Sequence, residues 1–417
     1  MTASPALQAP PRPAFDARRA RQDFPCLQQT IHGRPLVFLD TAASAQKPAV
    51  VIDEMARVLR EDYANIHRGV YTLSQRATDL HEGARRRVQR FLGAGDSREI
   101  IFTRNATEGI NLVAQSFVRP RVVPGDEILI TAMEHHANIV PWQLLQAQTG
   151  IRLVVAPIAD DGELLVDELE ARLSERTRLV ALTWVSNALG TVNPAHEIIA
   201  LAHRRGIPVL LDAAQAVQHL PVDVIDLDCE FLVFSGHKAY GPSGIGVLYG
   251  KAALLEAMPP YQGGGEMIAS VSFEGTEFDD IPYKFEAGTP AIEAAAALAT
   301  ALDYLDSLGV EAIAAHEADL LAYATRAMQQ VPGLRLVGTA RHKCSVLSFV
   351  MDKAHPQDIG TLLDLDGIAV RTGNHCAQPV LERLGHSATA RASLGLYSTE
   401  DDIDALVKSL GRIAAMF

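Results

Sequence analysis

From Glu99 to Tyr249 the chain alternates short apolar runs with longer amphipathic stretches. The runs are Glu99–Phe102, Glu127–Ile130, Arg152–Ala156, Thr177–Val185, Val209–Asp212, Phe231–Phe234 and Ile245–Tyr249. Helical stretches fall between them at Ala106–Ser116, Pro141–Gln148, Val166–Leu173 and Ile198–Arg205. Apolar runs this short and continuous read as strands buried on both faces. Strands joined through helices predict an α/β fold with a mainly parallel sheet flanked by helices. In such a sheet, ligand groups gather at the carboxyl ends of the strands.

At 417 residues the chain exceeds what one core usually holds, which predicts two domains. The large one spans residues 31–292 and contains strand Leu36–Asp40, helix Val50–Tyr63 and a long charged helix from about Thr78 to Leu92. It closes with a loop-rich region from Gly263 to Pro290. The alanine-rich helix Ala291–Leu308 leads into a smaller α+β domain over residues 293–417. Its expected elements are helices His316–Gln330, Pro356–Asp366 and Asp401–Ala415, and strands Ser345–Val350 and Ile368–Arg371. Residues 14–30 predict a short helix with its arginine-rich face in water, packing on the smaller domain. Residues 1–13 hold four prolines and no apolar core segment, which reads as a disordered tail rather than a secretory signal.

A formal net charge of −13 argues against nucleic acid or an anionic membrane as the main partner. No apolar run is long enough for a transmembrane helix. The four cysteines, Cys26, Cys229, Cys344 and Cys376, are far apart and lack CxxC spacing, so neither a zinc site nor a disulfide framework is indicated. Cys229 and Cys344 fall in apolar strand patterns and read as packing residues, while Cys26 could be exposed. A reducing, cytoplasmic compartment is the simplest expectation.

Within this frame, Phe231–Tyr249 is two buried strands around a turn of three glycines and a proline, opened by Ser235, His237 and Lys238. A lysine beside such a turn is ordinarily a solvated surface residue. At the end of a buried strand, desolvation instead lowers its pKa and makes the neutral amine a nucleophile able to form a Schiff base. Upstream, the run Val209–Asp212 ends in a carboxylate. A lysine at one strand end and an aspartate at another is the arrangement a pyridoxal 5'-phosphate enzyme needs: one holds the aldehyde, the other keeps the pyridine nitrogen protonated.

Several motifs occur in order: Leu39-Asp-Thr-Ala-Ala-Ser-Ala-Gln-Lys-Pro48, Asn65-Ile-His-Arg-Gly69, Thr107-Glu-Gly-Ile-Asn111, Met133-Glu-His-His-Ala-Asn138 and Val185-Ser-Asn-Ala-Leu-Gly-Thr191. They continue with Asp212-Ala-Ala-Gln215, Ser235-Gly-His-Lys238, Phe285-Glu-Ala-Gly-Thr-Pro290, Arg371-Thr-Gly-Asn-His-Cys-Ala377 and Arg391-Ala-Ser393. Each is weak alone; together they resemble the cysteine desulfurases of the class V aminotransferase group, on the fold-type I pyridoxal phosphate scaffold, and most of all the Suf-type (group II) branch.

The resemblance implies a role for each candidate. Thr107 and Glu108 open a helix whose backbone N–H groups, with the Thr107 hydroxyl, suit the cofactor phosphate, although a simple N-cap explains them equally well. Ser235 and His237 add donors to the same phosphate. His135 stacks on the ring and assists proton transfer; a metal role for His135 and His136 lacks a third ligand at suitable spacing. Asp212 pairs with the ring nitrogen, Gln215 bonds the phenolic oxygen, and Asn187 lies near that oxygen and the substrate carboxylate. Arg391 clamps the carboxylate, with Arg371 in support, and Lys238 moves the α-proton. Cys376, beside His375 and near Arg371, takes the substrate sulfur as a persulfide, since neighbouring positive charge favours a thiolate. L-cysteine would become L-alanine, and the sulfur would pass to a SufE- or SufU-like acceptor for iron–sulfur cluster assembly. The resemblance also implies a homodimer in which Thr289 reaches the phosphate of the neighbouring subunit.

Two positions depart from the branch pattern: Asn374 stands where many members have a histidine, and Ser398 where an asparagine is usual. Three rival readings remain: a selenocysteine lyase or cysteine sulfinate-acting relative, with L-selenocysteine as substrate in the first case; another class V aminotransferase or epimerase; and a non-enzymatic protein that kept the fold.

Overall fold

The computed structural model describes residues 15–416. The tail expected over residues 1–13 lies outside them. Its main sheet has seven strands: β1 (Ile100–Thr103), β2 (Glu127–Thr131), β3 (Arg152–Ala156), β4 (Thr177–Thr183), β5 (Val209–Asp212), β6 (Phe231–Ser235) and β7 (Gly246–Gly250). They lie in the order β1-β7-β6-β5-β4-β2-β3. Only β7 is reversed, pairing antiparallel with both β1 and β6, so six strands share one direction. Every residue of β1, β2, β5, β6 and β7 is buried, as continuous apolar runs require.

A second sheet has four strands, β8 (Leu334–Val337), β9 (Val346–Met351), β10 (Arg371–Gly373) and β11 (Thr389–Ser393), in the order β8-β9-β11-β10 with every pair antiparallel. The helices Ile292–Leu308 and Val310–Met328 connect the sheets through Gly309, whose φ of 86° favours a residue without Cβ. The first packs on helices Ala49–Arg57 and Thr72–Phe91, the second on the final helix Glu400–Met416.

Several expected elements differ. Residues 14–30 do not form one helix: Ala17–Arg21 is α-helical and Pro25–Gln28 is a separate 3-10 turn. Nor is the arginine face all in water. Arg21 donates through Nη1 to Tyr397 O (3.2 Å) and Asp402 Oδ2 (3.2 Å), and through Nη2 to Leu36 O (2.7 Å). The charged helix begins at Thr72 rather than Thr78, and the helix expected from His316 begins at Val310. The Gly263–Pro290 region contains a hairpin, Ile268–Val271 with Thr276–Phe278. The run Ile368–Arg371 divides: Ile368–Ala369 pairs with Val37–Phe38, and Arg371 starts β10. Cys229 and Cys344 each stand just ahead of a strand rather than within it. All four cysteines are unpaired.

The largest apolar cluster runs from Phe24 through the main sheet to Leu396 and Tyr397, so both sheets share packing. At its junction Phe24 meets Tyr397 edge-on (centroids 4.9 Å apart), and Tyr240, just past the Lys238 turn, stands 6.0 Å from each of them. The aromatic knot and Arg21 together tie the N-terminal segment to the loop after β11. Replacing Arg21 by Met keeps the apolar stem but leaves buried Asp402 with only Thr399 as partner. This substitution is expected to cost about 1–3 kcal/mol, read as a lower denaturant midpoint with unchanged slope; a loss below about 0.5 kcal/mol would show that the tie carries no stability.

Candidate active site

Five strands of the main sheet end on one edge, and each is followed within a few residues by a chemically active side chain. Thr107 follows β1, His135 follows β2, Asn187 follows β4, Gln215 follows β5 after its terminal Asp212, and Lys238 follows β6. These residues, with Ser235, His237, Arg371, His375 and Arg391, line one cavity of about 210 Å³. The lining therefore joins the edge of the main sheet to β10, β11 and the loop between them.

Lys238 closes a 3-10 turn, Gly236–Lys238, directly after β6. Its amine is pushed down to about 8, chiefly by burial; Asp212 opposes the shift, Arg391 and Arg371 add to it, and Cys376 opposes it. The turn is braced from the Leu39–Pro48 segment. His237 O accepts from Lys47 Nζ (2.8 Å) and Ala45 N–H (3.1 Å), and His237 Nδ1 lies 3.2 Å from Ser44 Oγ. Burial also holds His237 down at about 4, so its ring is neutral near pH 7. Asp212 is buried and raised by that burial; the Ala214 N–H (3.0 Å to Oδ1) and the Lys238 charge draw it back.

His135 is pushed down to about 3 by burial, then by Lys238 and other cations, so it too is neutral. Its Nδ1 accepts the Ala137 N–H at 3.0 Å, which assigns the ring proton to Nε2. Glu134 clamps the turn that carries it, accepting from Thr131 Oγ1 (2.6 Å), Asn138 Nδ2 (2.7 Å) and Thr183 N–H (3.0 Å). His136 Nε2 accepts the Gln378 N–H (3.0 Å), and the His136 backbone N–H donates to Cys376 O (2.7 Å), so this histidine braces the cysteine loop. No cluster able to hold a metal ion is present among the described residues.

At the end of β1, Asn105 caps the next helix, Ala106–Leu112, by accepting the Glu108 N–H at 2.9 Å. The Ala106 N–H donates to Ser235 Oγ (2.9 Å). The Thr107 N–H and hydroxyl are thus left as donors facing the cavity. Glu108 does not contribute: its N–H is taken, and its carboxylate turns away to Arg104 (3.0 Å). Thr289 also lies elsewhere, exposed in a second groove beside Glu108 and Glu286. Gln215 lines the cavity, but its Nε2 already donates to Ala42 O (2.6 Å), binding the Leu39–Pro48 segment to the main sheet.

Arg391 is fully buried, and burial lowers its guanidinium to about 10. Nη1 donates to Asn187 O (2.9 Å) and Nη2 to Asp40 Oδ1 (3.0 Å), while Nε has no partner. Asp40 sits in a motif visible in the sequence, but nothing there pairs it with an arginine 351 residues away.

Cys376 stands at the rim rather than in the lining. Its Sγ receives Arg371 Nη2 at 3.6 Å. His375 and Cys376 both have left-handed backbones, with φ of 54° and 55°. Such residues cost about 1–2 kcal/mol each unless their surroundings hold them. Here Asn187 Nδ2 donates to His375 O (2.6 Å), and Asn374 Oδ1 accepts the Cys376 N–H (3.1 Å). The departure at Asn374 thus has a local role, as does Ser398, whose Oγ accepts the Gly395 N–H at 3.0 Å.

The class V aminotransferase family model matches residues 37–406. Over 396 residues the chain is 54% identical to a cysteine desulfurase of Dickeya dadantii, covering 95% of this chain and 96% of that one. The chain belongs to the cysteine desulfurases of the class V aminotransferase family. A cysteine desulfurase of Synechococcus elongatus is 53% identical over 96% of this chain, which spans only 64% of that longer relative. The crystal structure of the Escherichia coli cysteine desulfurase CsdA, in an S-sulfonic acid form, superposes with a TM-score of 0.90 at 40% identity, covering 97% of this chain and 99% of that one.

Cysteine desulfurases depend on pyridoxal phosphate, and the residues present fit it. A depressed lysine amine faces a buried carboxylate, a neutral imidazole lines the same cavity, and the Thr107 N–H and hydroxyl remain free. In cofactor-stripped protein, the rate of pyridoxal phosphate capture is expected to rise with pH through an inflexion near 8, because only the neutral amine attacks. Asp212→Asn removes an attraction that favours the ammonium and should move the inflexion to lower pH. An inflexion near the ordinary lysine value of 10.5 would contradict the burial argument.

Proposed function

We propose that the protein converts L-cysteine to L-alanine, taking the sulfur as a persulfide on Cys376 and passing it to an acceptor protein. The observation that carries this reading is a thiol at the rim of the Lys238 cavity, held there by Arg371 and by a strained, fully braced loop. When bound, pyridoxal phosphate supplies an electron sink conjugated to the substrate α-carbon. Arg391, with its unpaired Nε–H, and Asn187 bind the substrate carboxylate. Lys238, with its amine near neutrality, takes the α-proton. His135 holds its single ring proton on Nε2, available as a donor in the cavity.

Cys376 Sγ then forms an S–S bond to the substrate sulfur while the Cβ–S bond breaks. The electron pair of that bond stays with the carbon skeleton, which gains a proton and leaves as L-alanine. L-cysteine and a thiol thus become L-alanine and a persulfide, with no outside oxidant.

Several further parts belong to the proposal. The half-buried sulfur sits between exposed Asn374 and Gln378, where a partner can reach it. That suits hand-off to a SufE- or SufU-like acceptor in iron–sulfur cluster assembly, and a Suf-type identity. Exposed Thr289, which lines a separate groove from Lys238 in its own chain, suits a homodimer in which it serves the neighbouring phosphate. Unpaired cysteines suit the cytoplasm, and no helix among the described residues is long and apolar enough to cross a membrane.

Cys376→Ala is expected to keep the visible absorbance of bound cofactor and to lose at least about 100-fold in alanine and sulfide release from L-cysteine. Alanine release at the normal rate would remove the persulfide role. Loss with L-cysteine but retention with L-selenocysteine would separate desulfuration from selenocysteine lysis. Sedimentation of the fully active enzyme as a monomer would remove the shared phosphate site.

A further inference from the structure

A buried guanidinium needs acceptors placed to match its planar fork. Arg391 has two, and they come from separate parts of the chain: the Asn187 carbonyl after β4 and the Asp40 carboxylate before the Thr41–Pro48 turn. The Asp40 backbone is itself fixed. It forms a parallel bridge to Ser393, with the Ser393 N–H donating to Leu39 O (2.7 Å) and the Ala42 N–H to Ser393 Oγ (2.9 Å). One residue further on, Thr41 Oγ1 lies 2.8 Å from Tyr397 OH. The carboxylate therefore reaches Arg391 from a segment with little freedom to follow it. With both Nη groups held this way, the guanidinium plane cannot turn, and its one unpartnered group is Nε.

The local charges point the same way. Lys238, Arg371 and Arg391 are three cations lining one cavity, whereas Asp212 is the one carboxylate among the lining residues. Asp40 supplies a second anion from outside the lining, against Arg391. Its side chain is about a quarter exposed (26%), and the Arg391 side chain 1%, so the carboxylate is poised at the boundary while the guanidinium is sealed.

We propose that Asp40 is a positioning residue for substrate recognition: it fixes the Arg391 guanidinium so that its unpaired N–H side meets the α-carboxylate of the amino-acid substrate. This rests on the reading of Arg391 as the carboxylate clamp. Asp40 is not among the residues that line the cavity, and its hydrogen bond there is to Arg391.

The test compares holoenzyme variants. Asp40→Ala removes the acceptor and should raise KM for L-cysteine about tenfold or more, with kcat changed less than about threefold. Asp40→Asn keeps an oxygen at the same place and should restore KM to within about threefold of the parent. Competitive inhibition by L-alanine should weaken with Asp40→Ala in parallel with KM, whereas inhibition by ethylamine, which lacks a carboxylate, should not. The visible absorbance of bound cofactor should be the same throughout. Should Asp40→Ala fail to fold, Asp40→Glu carries the test, because it displaces the acceptor by one methylene and should also raise KM without lowering kcat.

Arg391→Lys separates the two layers. If it raises KM strongly while the Asp40 variants leave KM unchanged, the clamp stands and the role of Asp40 is overturned. If Arg391→Lys leaves KM unchanged, the clamp reading fails and takes the Asp40 role with it. A fall in kcat with KM unchanged in Asp40→Ala, or equal weakening of L-alanine and ethylamine, also overturns it.

Discussion

Lys238 sits where an ammonium is expensive: on the turn after a fully buried strand, facing two guanidinium groups. One buried carboxylate and one thiol oppose them. The rest of the site can be read as a response to that cost. The parallel sheet brings five strand ends to one edge, so the lysine, its carboxylate and the neutral imidazole converge without any long-range coincidence of loops. The Leu39–Pro48 segment then closes over the turn. Lys47, Ala45 and Ser44 hold His237, Gln215 holds Ala42, and Asp40 holds Arg391. One ten-residue motif thus binds the main sheet and the four-stranded sheet around a single cavity.

A second constraint governs the thiol. Two consecutive left-handed residues, His375 and Cys376, aim the cysteine, and backbone of that kind persists only where it is over-determined. The braces come from three parts of the chain: Asn187 after β4, His136 after β2, and Asn374 within the loop. Two of these segments also line the Lys238 cavity, through Asn187 and His135. A displacement of the main-sheet edge would therefore disturb the thiol and the Lys238 cavity together.

Much of this was legible because burial on both faces leaves a plain signal. The seven runs from Glu99 to Tyr249 correspond to the seven strands of the main sheet, and the order of strand ends brought Lys238, Asp212 and His135 together. The illegible parts have physical reasons. β11 reads Thr-Ala-Arg-Ala-Ser, which lacks an apolar pattern because its buried arginine is sustained by partners far away in sequence. The hairpin Ile268–Phe278 is almost wholly exposed, so no burial pattern marks it. Glu108 looked like a phosphate donor because a cap and an anion site share the same helix-start signature; Asn105 had already taken its N–H. Asp40 stood in a quoted motif without a role, since an ion pair spanning most of the chain leaves no local trace.

The central claim is that Cys376 takes the sulfur while Lys238 serves the α-carbon. Mass analysis of peptides from holoenzyme incubated briefly with L-cysteine, without an acceptor, tests it most directly. A gain of one sulfur atom on the peptide carrying Cys376, removed by a thiol reductant and matched by about one alanine released per chain in the first turnover, is the expected result. Alanine formed over many turnovers with no sulfur gained on Cys376, or the gain appearing on Cys26, Cys229 or Cys344 instead, would contradict it.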